Sequence, residues 1–438
     1  MTLKTKKLSF IKYIFIFCLI IFNFIFFKSE IFASEEPNIY SNYAIVVDAN
    51  SGNILYSKGA FEKVYPASTT KILTAILTIE NCNLEEPFVV SSEALESIPY
   101  DSSVMGLEVG EIYKIKDLLY GLMLSSGNDA ANVLGEAISG DVSSFVELMN
   151  NKAKEIGCLN THFTNAHGYH NDNHYTTPYD MVKIMLYCLK NETFRQFIET
   201  KEYELPKTNK SEEPRTIVNT DRLFNPKYED EYYEYAIGGK TGYTLEARGC
   251  LISYAKKDDK FFICATYDGS QNISGEQARY LDSKTLYEYA FNNFNNKDLV
   301  KKDTTYIVED KENFLEYTVA LNDNISFITT SEEIPENNYT LDVNIEKLKD
   351  KKSNDIVGKV NYTFKEKYTD INTTSDVKLV SKKLDIENIN DLMSYIIYLI
   401  KKYIIIVIII LLIIILLIIM NFKKYKKKKR KRYKDIFR

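Results

Sequence analysis

Residues 403–420 form an unbroken run of eighteen residues without a charge, built almost entirely of isoleucine and leucine. At about 1.5 Å per residue this run just crosses a thin hydrocarbon core, so the chain has to be read around a membrane. Lys423-Lys424 and the basic run 426–432 follow at once, and the positive-inside rule puts that tail in the cytoplasm and the body of the chain outside. The other end agrees. Lys4, Lys6, Lys7 and Lys12 precede an almost wholly apolar stretch, 13–27, and Ala33 offers a small residue for cleavage before Ser34. That is the pattern of a secretory signal over 1–33, with an uncleaved membrane helix as the alternative.

Charge follows the same division. The last eighteen residues carry +10 and the first 33 carry +4, so the net charge of −5 leaves −19 on residues 34–420. An acidic body excludes nucleic acid as the main partner, because that ligand needs a basic face. Once Cys18 leaves with the signal, five cysteines remain, with no C-x-x-C among them. Neither a disulfide framework nor a zinc knuckle is indicated, and the thiols are expected as small buried hydrophobes.

In the mature chain, 43–48 and 54–56 read as a hairpin around Asn50-Ser51-Gly52-Asn53. Pro66 leads a helix so apolar at 72–79 that it belongs inside a domain. Helices are expected at 117–124 and 130–138, with the polar Ser125-Ser126-Gly127-Asn128 between them, strands at 250–255 and 261–267, and a closing helix at 276–294. Strands at both ends with helices between them predict an α+β domain over 34–298, an antiparallel sheet flanked by helices. Short alternating runs at 304–308, 315–321, 325–329, 339–345 and 357–364 predict a small all-β domain over 299–385, a spacer with no catalytic residues. An amphipathic membrane-proximal segment (386–402), the transmembrane helix (403–420) and a basic cytoplasmic tail (421–438) complete the chain.

Ser68-Thr69-Thr70-Lys71 matches S-x-x-K at a helix start. Three helical residues bring the Lys71 amine over the Ser68 hydroxyl, and a lysine with a lowered pKa can take a serine proton. The pattern alone is cheap: Ser9 to Lys12 and Ser375 to Lys378 repeat it, one in the signal and one near a domain end. Ser126-Gly127-Asn128 is also weak alone, because Ser51-Gly52-Asn53 repeats it in a turn. Lys240-Thr241-Gly242 occurs once, and places a cation, a hydroxyl and a bare backbone along an edge that an extended peptide ending in a carboxylate can join.

In the order S-x-x-K, S-x-N, K-T-G, the three resemble the penicillin-recognising serine enzymes. Pro66-Ala67-Ser68-Thr69-Thr70-Lys71 and Ser126-Gly127-Asn128-Asp129-Ala130-Ala131 are similar to motifs of the low-molecular-mass penicillin-binding proteins that act as D-alanyl-D-alanine carboxypeptidases. Residues 163–168 and 179–181, and Lys240-Thr241-Gly242-Tyr243-Thr244, resemble further stretches of that family, and the likeness runs over about 38–295. It implies a β-lactamase/transpeptidase-like fold and removal of the terminal D-alanine from peptidoglycan stem peptides ending in D-Ala-D-Ala, without cofactor or metal. β-Lactams are then inhibitors, and the protein is held at the cytoplasmic membrane. The roles implied are Ser68 as nucleophile, Lys71 as its base, Ser126 as proton relay and Asn128 as holder of the substrate amide. Lys240 and Thr241 would bind the terminal carboxylate on the Gly242 edge, and the Ser68 and Tyr243 N–H groups would form the oxyanion hole. Arg248 departs from the pattern, standing where many relatives have glycine, and is expected to point to solvent.

The rival readings are a zinc peptidase, a β-lactamase, a D,D-endopeptidase and an inactive peptidoglycan-binding scaffold. His162, His167, His170 and His174 are close together but form no H-E-x-x-H. No E-x-x-L-N lies between the second and third motifs to serve a class A β-lactamase.

Overall fold

The computed structural model describes residues 36–269, 275–311, 313, 315–330, 337–365, 367–384 and 392–436. The signal expected at 1–33 and the beginning of the membrane-proximal segment, 386–391, lie outside the described residues. The described chain forms two compact units, one up to Asn295 together with Ile328–Thr330 and one of Asn296–Phe327 with Ser331–Arg438.

In the first unit, short apolar runs make β1 (Tyr43–Asp48), buried from Ala44 to Asp48, and β2 (Ile54–Lys58). Their turn is fixed by Asp48, whose Oδ2 accepts from the Ser51 N–H and hydroxyl. Three later strands, β3 (Ala236–Gly242), β4 (Cys250–Lys257) and β5 (Lys260–Tyr267), complete an antiparallel sheet in the order β2-β1-β5-β4-β3. The register runs straight across it, Val46 facing Cys264, Cys264 facing Ser253 and Ser253 facing Gly239. Lys240-Thr241-Gly242 therefore ends the edge strand itself.

Helices cover the sheet. On α5 (Gly275–Asn293), Tyr280, Leu286, Tyr287 and Phe291 bury against Val46, Leu251, Phe262 and Cys264. Elsewhere α1 (Lys71–Asn81) has every residue from Lys71 to Thr78 buried, as a helix without a polar face must, and it packs among α2 (Ile115–Leu124), α3 (Asn128–Ser139) and α4 (Pro178–Cys188). Burial of Ile72, Leu73, Ile76 and Leu77 stabilises this arrangement by about 1.5–3 kcal/mol each, relative to exposure. All five cysteines of the described residues are free thiols, four of them buried.

In the second unit, β6 (Thr305–Asp310), β7 (Leu315–Leu321), β8 (Asn337–Val343), β9 (Ile356–Phe364) and β10 (Ile371–Leu384) form an antiparallel sheet in the order β6-β7-β10-β9-β8. Its core gathers Tyr317, Val319, Leu321, Val360, Phe364, Val377 and Leu379. The central strand β10 was not expected from sequence. It carries the Ser375–Lys378 copy of S-x-x-K, and on a strand residues three apart face opposite ways, so Ser375 and Lys378 cannot act together. Leu392–Ile436 is one continuous helix that runs through the segments expected as membrane-proximal, spanning and tail. Its stretch Ile408–Lys427 is long and apolar enough to cross a membrane, and none of it is covered by protein.

Candidate active site

The first surprise is local. Ser68 does not open the α-helix; it sits in a 3-10 turn, Ala67–Thr70, that precedes α1. Side chains three apart eclipse in a 3-10 turn, so Lys71 lies more squarely over Ser68 than an α-helix would put it, with Nζ 2.9 Å from Oγ. Ala67, at φ +48°, is held in the left-handed region. Such a residue costs about 1–2 kcal/mol and is kept only where its surroundings over-determine it.

Lys71 is fully buried and donates to two acceptors that can only accept, Asn128 Oδ1 at 2.7 Å and the His167 carbonyl at 2.8 Å. The remaining position on its nitrogen faces the Ser68 hydroxyl. Burial first, then the Lys240 charge, hold its pKa well below that of an ordinary amine, with Asp129 pulling the other way. A neutral Lys71 thus has two N–H bonds committed and its lone pair left for the serine proton. Gly168 brings the His167 carbonyl to this point. At φ +90° it lies so close to the nucleophile turn that a Cβ would stand 1.8 Å from the Ala67 carbonyl oxygen.

Ser126 and Asn128 come from the junction of α2 and α3, where Ser126 is also left-handed at φ +57° and Asn128 is the first residue of the helix. Asp129 anchors what lies opposite. Its carboxylate accepts from the N–H groups of Met105, Gly106, Leu107 and Ala130. The Asn128 N–H donates to the Ser103 carbonyl, which brings the 103–107 loop to the rim.

From β3, buried Lys240 donates to Ser126 Oγ at 3.0 Å and to the Thr241 carbonyl. Burial brings its pKa down to about 7; Asp221 works against that and Arg279 with it. Asp221, buried nearby, is pushed up to about 6 by desolvation despite Arg279 and Lys240. Thr241 Oγ1 lies 2.9 Å from Thr220 Oγ1, and Arg279 donates to the Gly242 carbonyl at 3.1 Å. Gly242 passes directly under the nucleophile, where a Cβ would meet the Ser68 nitrogen at 3.0 Å.

Ser68, Lys71, Ser126, Asn128, Lys240, Thr241, Gly242 and Tyr243 are thus gathered at one place. Two cavities meet at Ser68. One, of about 300 Å³, is lined by Ser126, Thr220, Thr241 and Arg279; the other, of about 580 Å³, by Asn128, Tyr169, His170 and residues 243–246. Sequence reasoning missed Thr220, Asp221 and Arg279. The polar turn Asn219-Thr220-Asp221 gave some signal, whereas Arg279 is a single cation on a helix far along the chain.

Two of the clustered histidines, His167 and His174, are buried and hydrogen-bonded within the fold. His174 Nδ1 accepts from the Thr164 N–H, so its Nε2–H faces the Thr70 hydroxyl, and burial holds its pKa down to about 3. His167 is kept neutral by burial and by Lys71. Among the described residues no three His, Cys, Asp or Glu side chains are placed to hold a metal. Arg248 is left-handed at φ +55°, a conformation that suits glycine, and its guanidinium turns to Asp268 at 3.3 Å.

The family profile described as D-alanyl-D-alanine carboxypeptidase matches residues 30–271, more than half of the chain. D-alanyl-D-alanine carboxypeptidase DacF of Bacillus subtilis is 32% identical over 298 residues, which is 66% of this chain and 72% of that protein. Among solved structures, a mutant of Streptomyces K15 DD-transpeptidase superposes with a TM-score of 0.54 at 32% identity, covering 59% of this chain and all of that one. D-alanyl-D-alanine carboxypeptidase from Mycobacterium tuberculosis gives 0.52 at 28% identity, over 58% of this chain and 92% of that one. The mixed sheet-and-helix fold is therefore that of the penicillin-binding transpeptidases.

Proposed function

The chain belongs to the D-alanyl-D-alanine carboxypeptidase family, and we propose how its residues remove the terminal D-alanine from peptidoglycan peptides. The observation that carries the assignment of roles is the Lys71 amine, with both N–H bonds spent on carbonyl oxygens and its third position on the Ser68 hydroxyl. Lys71 takes the Ser68 proton as Oγ attacks the carbonyl between the two D-alanines. The N–H groups of Ser68 and Tyr243 hold the oxyanion where β3 runs beneath the nucleophile turn. Ser126, tied to Lys240, relays the proton held by Lys71 to the departing D-alanine nitrogen, which leaves Lys71 neutral again. Water then attacks the ester, the neutral Lys71 takes its proton and gives it to the departing Ser68 Oγ, and the nucleophile is regenerated. Thr241 and Lys240, with Arg279 and Thr220 beside them, receive the terminal carboxylate, while Asn128 holds the peptide amide. A β-lactam acylates the same oxygen and, having no leaving group to depart, blocks the water.

In this reading the signal delivers the catalytic unit across the cytoplasmic membrane, the C-terminal helix anchors it by a single pass, and the basic tail stays in the cytoplasm. The all-β unit, residues 299–385, serves as a spacer. Incubation with fluorescent penicillin tests the chemistry: the full chain labels covalently, Ser68→Ala does not, and the wild type releases D-alanine from a pentapeptide. Folded wild-type protein that takes no label would overturn the acyl-enzyme.

A further inference from the structure

Asp221 sits fully buried behind the carboxylate site, and no bond-making or bond-breaking step uses it. The turn that carries it is pinned in place. The Asn219 N–H donates to the Lys201 carbonyl, the Thr220 N–H to the Leu124 carbonyl, and the Tyr280 hydroxyl to the Thr220 carbonyl. Asn219 Oδ1 accepts from the Asp221 N–H. The Asp221 carboxylate is only half used. Its Oδ1 accepts from the Leu223 N–H at 3.0 Å, whereas Oδ2 is buried with no hydrogen-bond partner among the described residues. That oxygen is pressed against β3, since a Cβ at Gly239, the residue before Lys240, would lie 2.3 Å from it.

A buried acid with an idle oxygen is costly unless cations stand near enough to balance it. Two do: Lys240 on β3 and Arg279 on α5 are both buried, and the charge of each acts on Asp221. Arg279 Nε is likewise buried with no partner among the described residues. The other groups around the carboxylate are neutral or turned away. Tyr280 and Tyr287 on α5 feel its charge, and burial keeps both phenols protonated. Ser253 on β4 meets the same Gly239 position and carries no charge. Arg222, next in the turn, directs its guanidinium to Glu231 at 3.3 Å. Lys240, Arg279 and Asp221 thus leave one positive charge in excess, which matches a single incoming carboxylate.

We infer that Asp221 is a positioning residue for the reaction: it is the resident counter-ion that keeps Lys240 charged while the pocket is empty, and it thereby sets the pH range over which the enzyme demands a free terminal carboxylate. The inference rests on the carboxypeptidase reading, in which Lys240 receives that carboxylate. An anion near an amine raises its pKa, and Asp221 acts in this sense on Lys240, which burial brings down to about 7. Asp221, pushed up to about 6 by burial, is ionised above that pH, which covers the range where Lys240 would otherwise lose its proton. Without Asp221 the Lys240 charge is therefore lost at a lower pH. Asp221 also repels the incoming carboxylate directly. That repulsion changes how strong the preference is while Lys240 is charged, but not the pH at which the preference falls.

The test compares acylation of the full chain by benzylpenicillin and by its methyl ester, each followed by the mass of the covalent adduct across the pH range on either side of neutrality. Lys71 and Ser126 serve both probes alike, so the ratio of the two rate constants isolates the carboxylate site. In the wild type this ratio falls as pH rises through about 7. In Asp221→Asn, which keeps the shape and an oxygen for the Leu223 N–H, the midpoint of that fall moves down by about one pH unit. Asp221→Ser, neutral but smaller, moves it equally, because the lost charge is the cause and not the lost shape. A midpoint that stays or rises in Asp221→Asn, or that differs between the two variants, overturns the inference while wild-type acylation keeps the carboxypeptidase reading intact. Variants that lose acylation by acid and ester alike make Asp221 a purely structural post and overturn it too. Wild-type protein acylated by neither probe overturns both readings.

Discussion

Gly168→Ala is the sharpest perturbation of the catalytic geometry, because it adds one methyl group away from every reacting atom. Its Cβ would lie 1.8 Å from the Ala67 carbonyl oxygen and 2.8 Å from Thr70 Oγ1, so the loop and the nucleophile turn must separate by more than 1 Å. Left-handed backbone costs about 1–2 kcal/mol for alanine, and the overpacking a further 1–3 kcal/mol or so. At about 2–4 °C per kcal/mol for a unit of this size, the Tm of the catalytic unit should fall by about 5–15 °C. Separation also pulls the His167 carbonyl from Lys71 and displaces Ser68, and misplacement of about 1 Å costs on the order of 10²-fold in rate. Gly157 supplies the control. It has the same φ of +90° but nothing within 4 Å of its Cβ position, so Gly157→Ala isolates the backbone cost. Stopped-flow acylation by a fluorescent penicillin, with thermal melts of both variants, reads the two effects apart. The reasoning is refuted if Gly168→Ala acylates like the wild type, or if Gly157→Ala loses as much rate.

Lys240→Gln removes the cation that helps to keep Lys71 neutral, so the Lys71 pKa rises and the acid limb of the kcat/KM profile moves to higher pH. In the wild type a second limb, falling as pH rises through about 7, reports loss of the Lys240 charge from the carboxylate site, and the variant lacks it. An acid limb that stays put or moves down would contradict the coupling. Asp129→Asn places an NH₂ against backbone N–H groups that now donate to a carboxylate, and should cost about 2–4 kcal/mol in urea unfolding, with slower acylation as the 103–107 loop loosens. A loss below about half a kcal/mol would mean that the four bonds do not hold the rim.

What sequence could reveal here was set by how local each contact is. Ser68 and Lys71 are three residues apart, so their meeting was legible, and β1, β4 and β5 followed from short apolar runs bounded by turns. The burial that makes Lys71 a base was not, because it depends on His167 and Asn128 arriving from two other segments. Arg279 and Thr220 reach the site only through the packing of α5 and the turn before β3. The long strand β10 was overlooked because Val377 and Leu379 are set among threonine, serine and lysine, so one face looks like a loop although the strand is central to its sheet. The 3-10 turn at Ser68 escaped notice for a different reason: proline-led helix starts of either kind look alike in sequence.

The edge position of β3 has a consequence beyond substrate binding. A sheet edge left open for a peptide is open to any strand, including one from a misfolded neighbour, and folds usually blunt such edges with charge or cover. Here the blunting device and the catalytic residue coincide. Lys240 places a cation inside the edge, and a Cβ at Gly239 would come within 2.3 Å of Asp221 Oδ2, so the turn that carries Asp221 packs tightly against the strand there. A foreign strand would close over that already buried charge without offering it a carboxylate, whereas a peptide ending at this point brings one. Selectivity for chain ends therefore doubles as protection against aggregation, and variants that neutralise Lys240 should be harder to keep soluble during refolding.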